Sequence, residues 1–325
     1  PTGSPAAAQI SLISTITTML LSNSFVAVIS LDFSKAFDTV RHFTLLEKLA
    51  KLDLPVNVFN WLVDFFDGHS HCTKYRGQAS MLKVISASII QGSAIGPASY
   101  VINASDLKVV DSVNKLVKFA DDTYLVIPAS HVDSRTAELD NVETWALRNN
   151  LTLNRGKSRE ILFVDKKRRR QFDEPLGLPA VKRVTSLKVL GVTWTNGLSV
   201  SDHISGVISS CSQSLYALKI LRVHGMCDVA LQAVYRSVVL AKLTYASSAW
   251  WGFSTASDRQ RIDGFLRRSQ RFGFCSSAMP SFIELCESAD DQLFTKINAN
   301  EHHTLHSLLP DITPAARIYN LRDRK

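Results

Sequence analysis

Apolar positions along this chain follow two rhythms. From Val26 to Leu31 they run without a helical period, β-branched residues among them, and stop at Asp32; that pattern predicts a buried strand ending at a carboxylate. Phe43, Leu45, Leu46, Leu49 and Leu52 then recur at helical spacing, and Pro55 predicts the end of that helix. A second helix is expected around Val58 to Phe66. Two short strand-like runs flank Gly77, and Gly92, Gly96 and Pro97 punctuate the entry to another helix near Tyr100. Leu116 to Ala120 and Thr123 to Ile127 read as a hairpin, with Asp121 and Asp122 at its turn. Leu139, Val142, Trp145 and Ala146 mark an amphipathic helix, and short strands are expected near Ile161 to Val164 and Leu187 to Trp194. The fold class this predicts is α+β.

From about Asp202 the rhythm is helical only. Ile204, Val207, Ile208, Cys211, Leu215 and Leu218 share one face, and Val234, Val238, Ala241 and Tyr245 are expected to share the next. A helical second domain is implied. No internal repeat is evident at any period.

Composition narrows the class. The 325 residues are 46% hydrophobic with only 14 Gly and 10 Pro, which supports a large core and excludes collagen-like or linker-dominated chains. A formal charge of +8 favours a polyanionic partner. The five cysteines, Cys72, Cys211, Cys227, Cys275 and Cys286, are odd in number and form no Cys-x-x-Cys pair. Neither a disulfide scaffold nor a zinc ribbon fits, and a reducing, intracellular compartment is expected. Polar and charged residues interrupt the most apolar stretches, so no membrane span is expected. A start at Pro1, without Met or a signal peptide, reads as a fragment of something longer.

The chemistry centres on carboxylates. Asp32 ends one apolar strand, and Asp121 and Asp122 sit between two others, so one sheet can bring all three together. Each pair at about 4 Å would repel by on the order of 4 kcal/mol at an effective dielectric of 20, so the cleft must take up a proton or bind divalent cations. Hard oxygen ligands suit Mg²⁺ and phosphoryl transfer. Asp-Asp is also ordinary turn chemistry and Asp32 an ordinary strand end; the residues alone leave both readings open.

Five further stretches bear on the choice. LDFSKAFDTV around Asp32, QGSAIGP from Gln91, KFADDTYLV around Asp121, LTLNRGKS from Leu151 and SLKVLGVTW from Ser186 occur in that order. Together they resemble the successive palm motifs of reverse transcriptases, in particular those of LINE-type, non-LTR retrotransposons of the jockey-like and chicken-repeat-like kind. The similarity is dense from about Phe25 to Asp202 and looser beyond, where YNLRDR resembles the closing segment of such reading frames.

The resemblance implies a right-hand polymerase: a remnant of the fingers over residues 1–24, a palm with an antiparallel sheet and packed helices over 25–200, and a helical thumb and C-terminal region over 201–325. It implies that Asp32, Asp121 and Asp122 are the catalytic residues and hold two Mg²⁺ ions, with Mn²⁺ as a substitute. Phe33, Phe37, Gln91, Gly92 and Lys157 are implied nucleotide contacts, Phe37 lying under the sugar and Lys157 near the leaving pyrophosphate. Leu190 and Gly191 match the hairpin that grips the primer end. The partners implied are an RNA template, a DNA primer and deoxynucleoside triphosphates, with action in the nucleus. Ala94, Ile95, Ala98 and Ser99 depart mildly from the family's second motif, and its basic fingers residues are missing from this stretch. A catalytically inactive remnant that only binds RNA or DNA is the alternative.

Two basic features stand outside the motifs. If Asp258 to Arg271 is helical, Arg261, Arg267, Arg268 and Arg271 share a face that suits a phosphate backbone, opposite Ile262, Phe265 and Leu266. KKRRR, Lys166 to Arg170, reads as a solvated loop or a nucleic-acid or import signal. Cys275, Cys286, His302 and His306 have the wrong spacing for zinc.

Overall fold

The computed structural model describes residues 3–90, 92–165, 171–276 and 278–310. Gln91 and Lys166 to Arg170 lie outside the described residues. The chain forms two compact units: one covers residues 12–203, and the other combines residues 1–11 with the chain from 204 onward.

The first unit is built on a mixed sheet, five-stranded among the described residues. Its strands are β1 (Phe25–Leu31), β2 (Lys115–Phe119), β3 (Asp122–Pro128), β4 (Arg159–Val164) and β5 (Lys182–Val184), in the order β5-β4-β1-β3-β2. Central β1 pairs antiparallel with both β3 and β4. The resemblance implied an antiparallel sheet, yet β4 and β5 run parallel. The connection across residues 165–181 is long enough for the crossover that a parallel pair needs.

Burial of β1 on both faces explains its unbroken apolar run. Phe25, Ala27, Ile29 and Leu31 face one way and join Leu125, Ile127 and Leu162 in a core. That core is closed by helices α1 (His42–Leu49), α2 (Val56–Phe66), α3 (Gly96–Asn103) and α4 (Arg135–Arg148), through Leu45, Leu49, Leu62, Phe66, Tyr100, Leu139 and Val142. Each large side chain so buried contributes about 1.5–3 kcal/mol. Val26, Val28, Tyr124 and Val126 alternate onto the opposite face and are equally buried.

Two buried carboxylates lock α4 to its surroundings. Glu138 accepts hydrogen bonds from the Val110 and Asp111 N–H groups and from Asn114 Nδ2. Glu160, fully buried on β4, pairs with Arg135 at 2.6 Å and Arg183 at 2.8 Å.

Several local expectations shift. Helix α1 ends at Leu49, not at Pro55, which instead precedes α2; Phe43 is 72% exposed and Leu52 lies past the helix, because the buried stripe needs only Leu45 and Leu49. The β2–β3 hairpin turns at Ala120 and Asp121, which leaves Asp122 on the strand. Leu187 to Trp194 is not one strand but a hairpin of β6 (Ser186–Val189) and β7 (Val192–Thr195).

The second unit is helical among its described residues. Ser201–Val223, Asp228–Val234, Ala256–Arg271 and Phe282–Asn298 are its main helices, the last two started by capping boxes from Thr255 with Asp258 and from Ser281 with Glu284. Ile204, Cys211, Leu215 and Leu218 are buried as the helical period predicts. After Asp228 the buried stripe is Leu231, Tyr235, Val239 and Leu243 rather than Val234, Val238, Ala241 and Tyr245. A π-helical turn over Tyr235–Leu240 is the reason, since its wider winding keeps residues four apart in line.

Candidate active site

Strand register brings two of the carboxylates face to face. Leu31 pairs with Thr123 across β1 and β3, so the next step sets Asp32 opposite Asp122. Asp122 in turn opposes Phe119 across a two-residue turn that holds Asp121 beside it. That turn is tight enough to put Ala120 at φ 52°, a region costing roughly 1–2 kcal/mol for a residue with a Cβ. By alternation Asp32, Asp122 and Tyr124 leave the sheet on the face away from the helices of the main core.

The electrostatics follow from this crowding. The Asp122 carboxyl is raised above the ordinary carboxylate range, first by lost hydration among the surrounding protein atoms, then by the negative charges of Asp121 and Asp32. Asp122 nevertheless remains solvent-accessible, as does Asp121, and Asp32 is half-buried. Lost hydration leads the shift, and the two neighbouring carboxylates add to it. Among the described residues none of the three carboxylates has an ion pair or hydrogen-bond donor committed to it.

No group of three or more His, Cys, Asp or Glu side chains among the described residues is gathered tightly enough to enclose a metal ion. This applies equally to Cys275, Cys286, His302 and His306. The aspartates form an open acidic edge, not a cage. Such an edge fits Mg²⁺, which keeps several waters and uses one or two carboxylates together with substrate phosphates.

The backbone at Asp32 is braced from LTLNRGKS. Asn154 N–H donates to the Asp32 carbonyl at 2.8 Å, and Asp32 N–H donates to Ser158 Oγ at 3.2 Å. Asn154 Oδ1 accepts from the Lys157 N–H, so this turn holds Lys157 near Asp32 in the chain's path, its side chain exposed. Phe33 pairs with Leu153, and its ring packs edge-on against Trp145 in the core. Its side chain is thus structural, which leaves only its main chain for a ligand.

Phe37 stacks on Tyr100 with ring centroids 4.8 Å apart. The buried Tyr100 hydroxyl is held above the usual phenol range, by desolvation first and by the charge of Asp121 second. Phe37 is therefore one ring removed from the acidic edge. Gly92 has φ 85°, which only glycine adopts cheaply, with open space where a Cβ would stand.

Leu190 and Gly191 form the tip of the β6–β7 hairpin. Both have positive φ, 43° and 91°, as a two-residue turn of the primed type requires. The buried Tyr124 hydroxyl is held above the usual phenol range, by lost hydration first and by the charge of Asp122 second. Sequence reasoning singled out neither Tyr124 nor Tyr100 nor Ser158. Tyr124 stands in the KFADDTYLV stretch, two residues past Asp122, and that spacing was the available signal.

In the second unit Arg261, Arg267, Arg268 and Arg271 are exposed on Ala256–Arg271, while Ile262, Phe265 and Leu266 are buried. Arg261 is partly occupied by Ser205 Oγ at 2.9 Å and Asp258 at 3.5 Å.

Residues 4–194, which contain all three aspartates and the β2–β3 hairpin, match the family described as reverse transcriptase (RNA-dependent DNA polymerase). The chain belongs to the reverse transcriptase family. Among its relatives is the probable RNA-directed DNA polymerase from transposon BS of Drosophila melanogaster, 26% identical over 256 residues that make up 74% of this chain and 28% of that protein. The RNA-directed DNA polymerase from mobile element jockey of the same fly is 27% identical, over 71% of this chain and 26% of the relative. Its counterpart in Drosophila funebris is 28% identical over 54% of this chain. The chain thus spans between 20% and 28% of the length of these curated relatives. Telomerase from Candida tropicalis, solved with a fragment of telomeric RNA, covers 95% of this reverse transcriptase chain and matches over 51% of its own, at 13% identity and a TM-score of 0.47.

Proposed function

We propose that this chain carries the palm and thumb of an RNA-directed DNA polymerase that extends a DNA 3′-hydroxyl on an RNA template and releases pyrophosphate. The observation that carries the reading is that Asp32 and Asp122 follow the Leu31–Thr123 pair at adjoining strand ends, close enough to act on one another's charge, with Asp121 alongside, at an edge that lacks any committed cation among the described residues. Asp32, Asp121 and Asp122 would hold two Mg²⁺ ions, or Mn²⁺ in their place. Bound there, such ions supply activation of the primer hydroxyl and stabilisation of the departing oxygen.

The protein's own groups do the rest. Phe37, fixed by its stack on Tyr100, would close the space beneath the sugar and exclude a 2′-hydroxyl. Gly92 lets the main chain approach the nucleotide closely, with Gln91 beside it, and Lys157 would offset charge on the departing phosphates. The Leu190–Gly191 tip would hold the primer end. On the helical unit, Arg261, Arg267, Arg268 and Arg271 would follow a phosphate backbone without reading sequence. Residues 1–24 correspond in this scheme to part of the fingers. No helix among the described residues is long and apolar enough to cross a membrane. By the same reading the chain would act in a reducing compartment, on nuclear DNA.

The test is extension of oligo(dT) on poly(rA) with Mg²⁺, using this chain and the longest reading frame that contains it. Product that disappears in Asp121→Asn supports the proposal. Salt-sensitive binding of the template and primer without any incorporation would favour a remnant that only binds nucleic acid.

A further inference from the structure

The chain leaves α4 through Asn150, in a conformation that glycine usually supplies. Leu151 N–H donates to the Ala146 carbonyl at 2.8 Å and Asn150 N–H to the Leu147 carbonyl at 3.2 Å, the two bonds of a Schellman ending, and Asn150 stands at φ 58°. Backbone geometry alone favours Gly at such a position. Asn tolerates the same region and adds an amide. That amide crosses to a distant part of the chain: its Nδ2 donates to the Thr39 carbonyl at 2.6 Å and its Oδ1 accepts from the Arg41 guanidinium at 3.2 Å, 111 and 109 residues away in sequence.

Thr39 closes the short helical turn Ala36–Thr39, which carries Phe37. Just before that turn Phe33 pairs with Leu153 and Ser34 with Thr152. One stretch, residues 150–153, therefore holds the chain on both sides of Phe37. The same stretch runs on into Asn154 and Ser158, which bond the main chain of Asp32. Phe37 itself is held by its carbonyl, which accepts from Ile89 N–H at 2.7 Å, and by its stack on Tyr100. Stacked rings tolerate sliding over a range of offsets, whereas a hydrogen bond is directional. The bond from Asn150 to Thr39 thus refers the turn to the strand end where Asp32 stands.

We infer that Asn150 is a positioning residue for sugar selection: by holding the Thr39 carbonyl it fixes the Phe37 ring at one depth relative to Asp32, so that a 2′-hydroxyl on the incoming nucleotide meets the ring. This rests on the polymerase reading proposed above and gives a role to a side chain that acts through Thr39 rather than on the substrate. Selection by steric contact depends on such placement, since a misplacement of about 1 Å can change a rate on the order of a hundredfold.

The test is Asn150→Gly, which keeps the left-handed backbone and removes the side chain. In single-nucleotide incorporation the preference for deoxyribo- over ribonucleotide, as a ratio of kcat/KM values, should fall by about tenfold, while deoxynucleotide incorporation stays within about threefold of the parent. Asn150→Asp keeps an acceptor for Arg41 but sets a carboxylate oxygen against the Thr39 carbonyl, and should lose the preference as well. Arg41→Ala should keep it; a loss there equal to that of Asn150→Gly would move the effect from Thr39 to Arg41 and overturn the inference. Equal losses for both kinds of nucleotide in Asn150→Gly would reduce Asn150 to a helix cap. A preference that falls in Phe37→Val but not in Asn150→Gly would overturn the role of Asn150 and leave the polymerase reading standing. No incorporation by the unmutated protein would overturn the polymerase reading and this role together.

Discussion

Asp32 and Asp122 stand opposite one another at the open end of β1 and β3, one register step beyond the Leu31–Thr123 pair. The sheet pairs two like charges, which destabilises the fold and equips the edge for a cation.

Removing one of those charges should therefore stabilise the free protein. Asp122→Asn is expected to melt higher than the unmutated chain in EDTA at pH 7. The sign follows from the raised carboxyl: the folded state holds the Asp122 proton more tightly than the unfolded one, so the penalty exists above the carboxylate range and fades as pH falls through it. The melting gap should close at acid pH and narrow with added Mg²⁺. A variant less stable than its parent in EDTA at neutral pH would contradict the crowding.

Phe37 offers a test in sugar selection. Shrinking it to Val removes the ring stacked on Tyr100 and should admit ribonucleotides, with discrimination falling by about 10- to 100-fold in single-nucleotide incorporation. Unchanged discrimination would return Phe37 to the core.

Glu160 separates stability from chemistry. Its carboxylate is fully buried between Arg135 and Arg183, and Glu160→Gln leaves the buried Arg135 guanidinium without its counter-charge, while Arg183 keeps Glu174 at 3.4 Å. The expected cost is about 3–5 kcal/mol in urea unfolding. A loss below about 1 kcal/mol would mean that the pair is solvated in solution.

His203 gives the fold a pH dependence of its own. Burial first, and Lys188 second, depress it to about 4 from an ordinary value of 6.5. The folded state thus stays neutral while the unfolded state takes up a proton between those values. Stability should be complete above pH 6.5 and be lost progressively toward pH 4, by about 3 kcal/mol across the window. His203→Gln should flatten that slope in unfolding titrations of the whole chain.

Much of the sheet was legible because β1 and β3 bury both faces and can only be apolar, and because the motifs around Asp32 and Asp121 fall at strand ends. The helical face of Ser201–Val223 was readable for the same reason of period. What local pattern could not carry is what depends on distant partners. Phe43 looks like a core residue, but whether it is covered depends on what packs over it, and it is exposed. The shift from Val234 to Tyr235 follows from a change of winding that spacing alone does not announce. The brace between Asp32 and Ser158 joins residues far apart in sequence, and only folding reveals it.

The most direct test of the shared acidic edge is a Mn²⁺ titration followed by electron paramagnetic resonance, with RNA template, DNA primer and a non-hydrolysable deoxynucleotide bound. The unmutated protein should take up two ions, and Asp32→Asn and Asp122→Asn should each weaken uptake by at least about tenfold, the double variant losing less than the two losses combined. Uptake by Asp32→Asn equal to that of the parent would contradict a site in which these strand ends act together.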